Sequence, residues 1–293
     1  MRPGRSEDLA ALVDLWQREV AEGRQDVAPS EDRARRMLAR FDWGARSRLV
    51  DDGGALAGAV LVTSRPSPDG VLATMAVAGS RDSATELARW GLELSRAAGA
   101  SIVQCFVAHG QGEPLRAAGM EMVRPWWRMD RSLGNGLPDP MRVPGYDLVD
   151  AVTAPDGAWS VMFNRTFADH WRFSPRAEEE VMGEKELDLC LMAVTESERQ
   201  PVALTIGDID RYAQDQRPQP VGLISSVGTL PEHRRRGLAG WLVAELMQRL
   251  RRAGARHASL YVDGQNPMRA HEVYLKLGFA VVFEADVWEA TFP

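Results

Sequence analysis

Apolar residues recur along the chain with two different periods. Over 8–20, Leu9, Leu12, Val13 and Trp16 return at helical spacing, and Leu238, Leu242, Leu246 and Leu250 stripe one face of a later segment. Short apolar, β-branched runs lie between such segments and predict strands: 48–50, 57–63 and 71–77 early in the chain, then 187–194, 202–206, 221–230 and 258–262. Each half reads as a helix-rich start, several short strands, a long helix, a strand, a shorter helix and a closing strand. This is an α/β pattern written twice.

The repetition extends to individual residues. Arg96-Ala97-Ala98-Gly99-Ala100 is echoed by Arg251-Arg252-Ala253-Gly254-Ala255, and Arg116-Ala117-Ala118-Gly119-Met120 by Leu275-Lys276-Leu277-Gly278-Phe279. Both copies close on a Trp-containing strand, Trp126-Trp127-Arg128-Met129 and Val287-Trp288-Glu289-Ala290. The Gly- and Pro-rich stretch Gly134-Asn135-Gly136-Leu137-Pro138 marks a linker. The expected domains are therefore 1–133 and 145–293, joined by 134–144.

Composition narrows the class. With 293 residues, 45% of them hydrophobic, the chain exceeds one ordinary core and fits two. A net charge of −6 argues against a general nucleic-acid binder. No run of about 18 apolar residues and no apolar stretch behind Met1-Arg2-Pro3-Gly4-Arg5 points to a membrane or to export, so a cytoplasmic protein is expected. Cys105 and Cys190 each sit in an apolar run, as reduced core residues do. His109, His233, His257 and His271 lack metal-ligand spacing, and no metal is expected. Only Lys185 and Lys276 are lysines, a bias that reads as the codon usage of a GC-rich bacterial genome.

Candidate chemistry concentrates in Val227-Gly228-Thr229-Leu230-Pro231-Glu232-His233-Arg234-Arg235-Arg236-Gly237-Leu238-Ala239-Gly240, a strand, a turn and the start of a helix. Free amides at a helix N-terminus, with the positive end of the helix dipole behind them, suit a pyrophosphate. Small residues at Gly237 and Ala239 let the backbone approach it, and Arg234, Arg235 and Arg236 add positive charge.

Arg234-x-x-Gly237-x-Ala239 after a strand resembles the acyl-CoA signature of the GCN5-related N-acetyltransferase (GNAT) superfamily. The segment from Asn266 to Phe279, with Asn266, Ala270, Tyr274, Gly278 and Phe279, resembles that superfamily's second motif, with one residue more between Asn266 and Ala270 than in its commonest form. Two copies in one chain are similar to tandem GNAT proteins such as mycothiol synthase. The resemblance implies two tandem GNAT domains, each a mixed, mostly antiparallel central sheet flanked by helices. It also implies acetyl-CoA or another acyl-CoA as cosubstrate, held by Val227, Gly228, Thr229, Arg234 to Gly240, Asn266 and Tyr274. Direct attack by an amine, with Tyr274 protonating the departing thiolate, is the mechanism it implies.

Counting back from the matched glycines places Asp82 opposite Gly237 and Leu115 opposite Tyr274, so the first half is expected to have lost its site. No carboxylate lies on 222–230 to serve as the base. Asp208 and Asp210, read as a loop before the central strand, and His170, read as one turn beyond a helix face formed by Phe163 and Phe167, are the candidates. The expected acceptor is a small-molecule primary amine, with a peptide or protein N-terminus, or a noncatalytic acyl-CoA sensor, as alternatives. A monomer or homodimer is expected.

Overall fold

A computed structural model describes residues 1–154, 157–183, 185–210 and 219–292. The first half runs β1 (Arg2–Pro3), α1 (Leu9–Ala21), α2 (Glu31–Met37), α3 (Trp43–Arg46), β2 (Ser47–Asp52), β3 (Ala55–Ser67), β4 (Gly70–Gly79), α4 (Arg81–Ala97), β5 (Ala100–Ala108), α5 (Glu113–Ala117) and β6 (Glu121–Ser132). The second runs β7 (Tyr146–Asp150), α6 (Ala158–Phe167), α7 (Glu178–Met182), β8 (Cys190–Thr195), β9 (Pro201–Asp210), β10 (Val221–Thr229), α8 (Leu238–Arg252), β11 (His257–Asp263), α9 (Ala270–Lys276) and β12 (Ala280–Thr291).

The repeat read from the sequence is a structural one. Gly99 and Gly254 stand just past the ends of α4 and α8 with φ of 78° and 93°, the left-handed conformation that closes a helix and that glycine adopts without a Cβ clash. In each half the sheet is antiparallel up to the strand before the long helix, and that strand pairs in parallel with the one after it: β4 with β5, β10 with β11.

The compact units differ from the two halves of the sequence. Among the described residues, 1–127 and 283–292 form one unit, and 128–210 with 219–282 the other. In the first unit the closing strand of the second half lies antiparallel to β5, from Ala285 opposite Ala108 to Thr291 opposite Ile102. Its Trp288 is 3% exposed and packs in the core with Val60, Met75, Leu87 and Leu115. Gly112 passes so close to that indole that a Cβ there would lie 2.0 Å from it. Two buried carboxylates fix the strand further, Asp286 bonded to His109 Nδ1 and to the Gly110 amide, and Glu289 accepting from the Gln104 amide. In the second unit the end of β6 runs beside β11, with the Leu133 amide on the Arg256 carbonyl and the Ser259 hydroxyl on Asp130. The ends of the two closing strands, 128–132 of β6 and 283–291 of β12, thus belong to the unit of the other repeat.

Within the second unit, α8 lies close over β9 and β10. Its stripe Leu238, Leu242, Leu246 and Leu250 is at most 1% exposed. Gly207 and Gly222 give it room: a Cβ at either would come within 2.7 or 2.8 Å of Leu246 or Leu250. Cys105 and Cys190 are free and buried, and burial pushes their thiols up to about 12 and about 11.

Candidate active site

The site follows from how β10 ends. It pairs with β9 along its whole length, from Val221 opposite Asp210 to Thr229 opposite Ala203, but with β11 only over Val221 to Leu223. Beyond Leu223 the parallel strands part, and the backbone of Val227 to Thr229 has no partner strand on that side among the described residues. A bulge accompanies the parting. Ile224 faces Gly207 and Ser226 faces Ile206, so Ser225 is an inserted residue, its hydroxyl donating to the Ile206 carbonyl at 3.1 Å.

Residues 230–237 then connect β10 to α8. Gly237 caps the helix with φ of 92°, and no side chain bonds to the cap. The first intrahelical bond runs from the Trp241 amide to the Gly237 carbonyl, which leaves the amides of Leu238, Ala239 and Gly240 without helical acceptors. These amides, the open edge of β10 and α9 surround a cavity of about 450 Å³. Val227, Gly228, Thr229, Arg234, Arg235, Gly237, Leu238, Ala239, Gly240, Asn266, Tyr274 and His170 all line it. The cavity of about 510 Å³ between α4 and β12, bordered by Arg89 and Arg96, has no helix N-terminus among its lining residues.

The three arginines have different surroundings. Arg234 is spent on the protein: Nε donates to the Thr229 carbonyl at 3.0 Å, Nη1 and Nη2 hold Asp169 at 2.6 and 3.0 Å, and Nη2 also reaches the Thr166 carbonyl at 3.2 Å. Arg236 turns to the Tyr146 hydroxyl at 3.0 Å and the Glu232 carbonyl at 3.1 Å, and does not line the cavity. Arg235, exposed and with φ of 64°, lines it and has no hydrogen-bond or ion-pair partner among the described residues. Of the three arginines expected at the phosphates, Arg236 does not line the cavity, Arg234 lines it with its guanidinium engaged by protein acceptors, and Arg235 lines it without such partners.

The glycines also separate. A Cβ at Gly240 would meet nothing within 4 Å, so that position opens onto the cavity. At Gly228 it would lie 2.3 Å from the Thr166 hydroxyl and 3.0 Å from the Phe167 ring, so this glycine admits α6. At Gly237 only Val143 lies near, at 3.7 Å; the positive φ is what requires glycine there.

Tyr274, on α9, is 8% exposed, and burial raises its phenol above the ordinary value. Its ring meets Phe279 edge to face at 6.0 Å, while its hydroxyl makes no hydrogen bond among the described residues. Asn266 precedes α9 in a turn, where its Oδ1 accepts from the Met268 amide at 2.8 Å.

Asp208 and Asp210 are not in a loop and not at the cavity. They continue β9, opposite Leu223 and Val221. Because β9 runs antiparallel to β10, the end of β9 lies beside the start of β10, roughly 13 Å along the strand from Val227 for Asp208. Asp208 is paired with Lys185 Nζ at 3.0 Å, and Asp210 is buried. Arg211 and Tyr212, which follow them in the chain, lie outside the described residues. His170 follows the end of α6 at Phe167 instead of extending its face. Its ring meets Phe167 edge to face at 4.7 Å, and its pKa lies below 6.5, mainly because surrounding protein disfavours the charged form.

The sequence reading missed His233, whose Nδ1 lies 2.9 Å from the Tyr146 hydroxyl while the residue borders the cavity. Its place directly before Arg234 was a signal; Tyr146, 87 residues away, offered none.

The equivalent place in the first half is built differently. Between β4 and α4 stands only Ser80, and the β3–β4 register runs from Gly58 opposite Gly79 to Ser67 opposite Gly70 without a bulge. Helix α4 has 17 residues against 15 in α8, the extra ones at its start, so Asp82 sits in the first helical turn and Ser80 takes the capping place of Gly237. The loop is missing there, not merely substituted.

Residues 206–288 match the family described as FR47-like protein. No curated protein matches at a significant level. A GCN5-related N-acetyltransferase from Sphaerobacter thermophilus superposes with a TM-score of 0.81 at 22% identity, over 99% of this chain and 94% of that one. A tandem GNAT protein from the clavulanic acid biosynthesis pathway gives 0.67 at 18% identity, over 100% and 98%. The glucosamine N-acetyltransferase region of a fungal multi-domain GH3 β-N-acetylglucosaminidase gives 0.72 at 16% identity, over 98% of this chain and 37% of that one. No described helix is long and apolar enough to cross a membrane, and no metal-binding cluster occurs among the described residues. The chain carries, twice over, the fold of the GCN5-related N-acetyltransferases.

Proposed function

We propose that the second unit is an N-acyltransferase that takes acetyl-CoA, or another acyl-CoA, in the cavity beside β10 and passes the acyl group to a primary amine of a small molecule. The observation that carries this reading is the coincidence, in one cavity, of a parted strand edge, a helix N-terminus with unused amides and a buried tyrosine. The pantetheine arm of CoA extends the sheet along Val227 to Thr229, where β11 has drawn away. Its pyrophosphate meets the amides of Leu238 to Gly240 and the Arg235 guanidinium.

The amine then attacks the thioester carbonyl. A carbon–nitrogen bond forms, the carbon–sulfur bond breaks, and the thiolate leaves with the electron pair. Backbone amides at the parted edge near Val227 stabilise the oxygen as it gains charge. Tyr274 donates its proton to the sulfur. Burial suits it to this, because the phenol stays protonated at neutral pH. Asp208 and Asp210 lie at the other end of β10, and the other candidate acceptors lining the cavity are engaged, His233 Nδ1 by the Tyr146 hydroxyl and Glu272 by Arg269, so the amine proton is assigned to His170, whose lowered pKa keeps the ring neutral at pH 7.

A small amine as acceptor is supported by one neighbour being named as a glucosamine N-acetyltransferase. The test is a screen of amines and amino sugars with acetyl-CoA, detecting released thiol, alongside calorimetry of CoA. Turnover with one or a few amines is expected; tight CoA binding without turnover on any amine or peptide would replace the enzyme by a sensor.

A further inference from the structure

Helix α6 ends at Phe167, and a helix end leaves carbonyls without partners. Here one of them, that of Thr166, is taken by a side chain from another element, Arg234 Nη2 at 3.2 Å. The same guanidinium grips both oxygens of Asp169, two residues past the helix, and its Nε holds the Thr229 carbonyl where β10 ends. The five donors of a planar guanidinium can hold these four acceptor oxygens at once, and the three donors of an ammonium cannot. The Arg234 side chain is 18% exposed, and beside it the Asp169 carboxyl is held below its usual range, chiefly by hydrogen bonding to that arginine. His170 follows directly, its backbone amide on the Phe167 carbonyl and its ring against the Phe167 ring.

We infer that Arg234 is a positioning residue, not a phosphate ligand: it ties the end of α6 to the end of β10 and so sets His170 at the cavity. The inference rests on the proposed acyl transfer for its kinetic consequence, and on geometry alone for the rest. It divides a run that the sequence treats as one, since the most enclosed of the three arginines serves the acceptor side and the exposed Arg235 serves the cosubstrate.

The test compares Arg234→Lys, Asp169→Asn and Arg235→Gln. CoA affinity is read by calorimetry, turnover at saturating acetyl-CoA by thiol release, and the His170 ring signals by NMR, assigned with His170→Gln. Arg234→Lys and Asp169→Asn are expected to leave the CoA dissociation constant within about twofold, to lower kcat about tenfold and to shift the His170 ring signals. Arg235→Gln is expected to weaken CoA about tenfold while kcat and the ring signals stay in place. Should Arg234→Lys weaken CoA as much as Arg235→Gln and spare kcat, Arg234 is a phosphate ligand and the inference falls. Asp169→Asn, a change at a half-exposed carboxylate, covers the case in which Arg234→Lys does not fold. A wild-type protein inactive on every amine would remove the acyltransferase reading alone. The ring signals would then decide: unmoved in both Arg234→Lys and Asp169→Asn, they overturn the inference, and moved only there, they uphold it.

Discussion

Leu115 and Tyr274 occupy one position in two copies of the same turn: the Leu115 carbonyl accepts from the Met120 amide, and the Tyr274 carbonyl from the Phe279 amide, each at 3.0 Å. The backbone is repeated and the chemistry is not, since Leu115 is an apolar residue with 1% exposure. Together with the single-residue connection at Ser80, this makes one CoA site per chain the expected stoichiometry. Calorimetric titration checks it. Two sites of comparable affinity would show that the first half binds CoA without the loop.

Tyr274→Phe removes a hydroxyl that bonds to nothing in the described protein, so stability and CoA affinity are expected to change little. Loss of the proton donor should lower kcat by on the order of 100-fold. Unchanged turnover at saturating substrate would remove Tyr274 as the acid.

As the proposed base, His170 is expected to set the acid limb of activity. Its folded pKa lies below the ordinary 6.5, so the ring is neutral at pH 7, and kcat/KM should fall as pH drops through that lowered value. The same shift affects stability. Between the folded value and 6.5 the unfolded chain binds the proton that the folded chain resists, so stability is lost as pH falls below 6.5. In His170→Gln both contributions should vanish. A pH–rate profile with the same acid limb in the variant would assign the limb to another group.

Gly240 separates binding from folding. A methyl group there meets no protein atom within 4 Å and improves the helix by up to ~1 kcal/mol. Yet it projects into the space given to the cosubstrate. Gly240→Ala should raise Tm slightly while weakening CoA, and Gly240→Glu should abolish CoA binding. Full affinity in Gly240→Glu would move the pyrophosphate elsewhere.

Much of this site was legible because its signals are local. Gly237, the arginine run and the Leu238 to Leu250 stripe lie within one strand–loop–helix unit, and spacing alone determines what they form. The arginine roles were not legible, because three adjacent guanidinium groups look alike until Asp169, Thr166 and Tyr146 arrive from distant segments. Asp208 and Asp210 were misread for a related reason: polar residues at the end of β9 imitate a loop, while pairing with Val221 to Leu223 keeps them in the sheet. Counting from Gly254 carried Asp82 two residues into α4, since a count cannot register a helix that starts earlier.

Strand exchange was hidden most completely, because β6 and β12 follow equivalent helices and either order satisfies the same apolar pattern. It has a thermodynamic consequence. Trp288 is encoded by the second repeat but fills the core of the first unit, so Trp288→Ala should cost ~3–5 kcal/mol. Hydrogen exchange should register that loss in α4 and β5. Val282, earlier in the same strand and 47% exposed, is the control, since Val282→Ala should stay within about 0.5 kcal/mol. A chain cut after residue 133 lacks the strand that covers β5 and is expected to aggregate through that unpaired edge. Supplying residues 283–292 as a peptide should return it to solution. A truncated chain that is monomeric and cooperatively folded without the peptide would mean that the first unit does not depend on the exchanged strand.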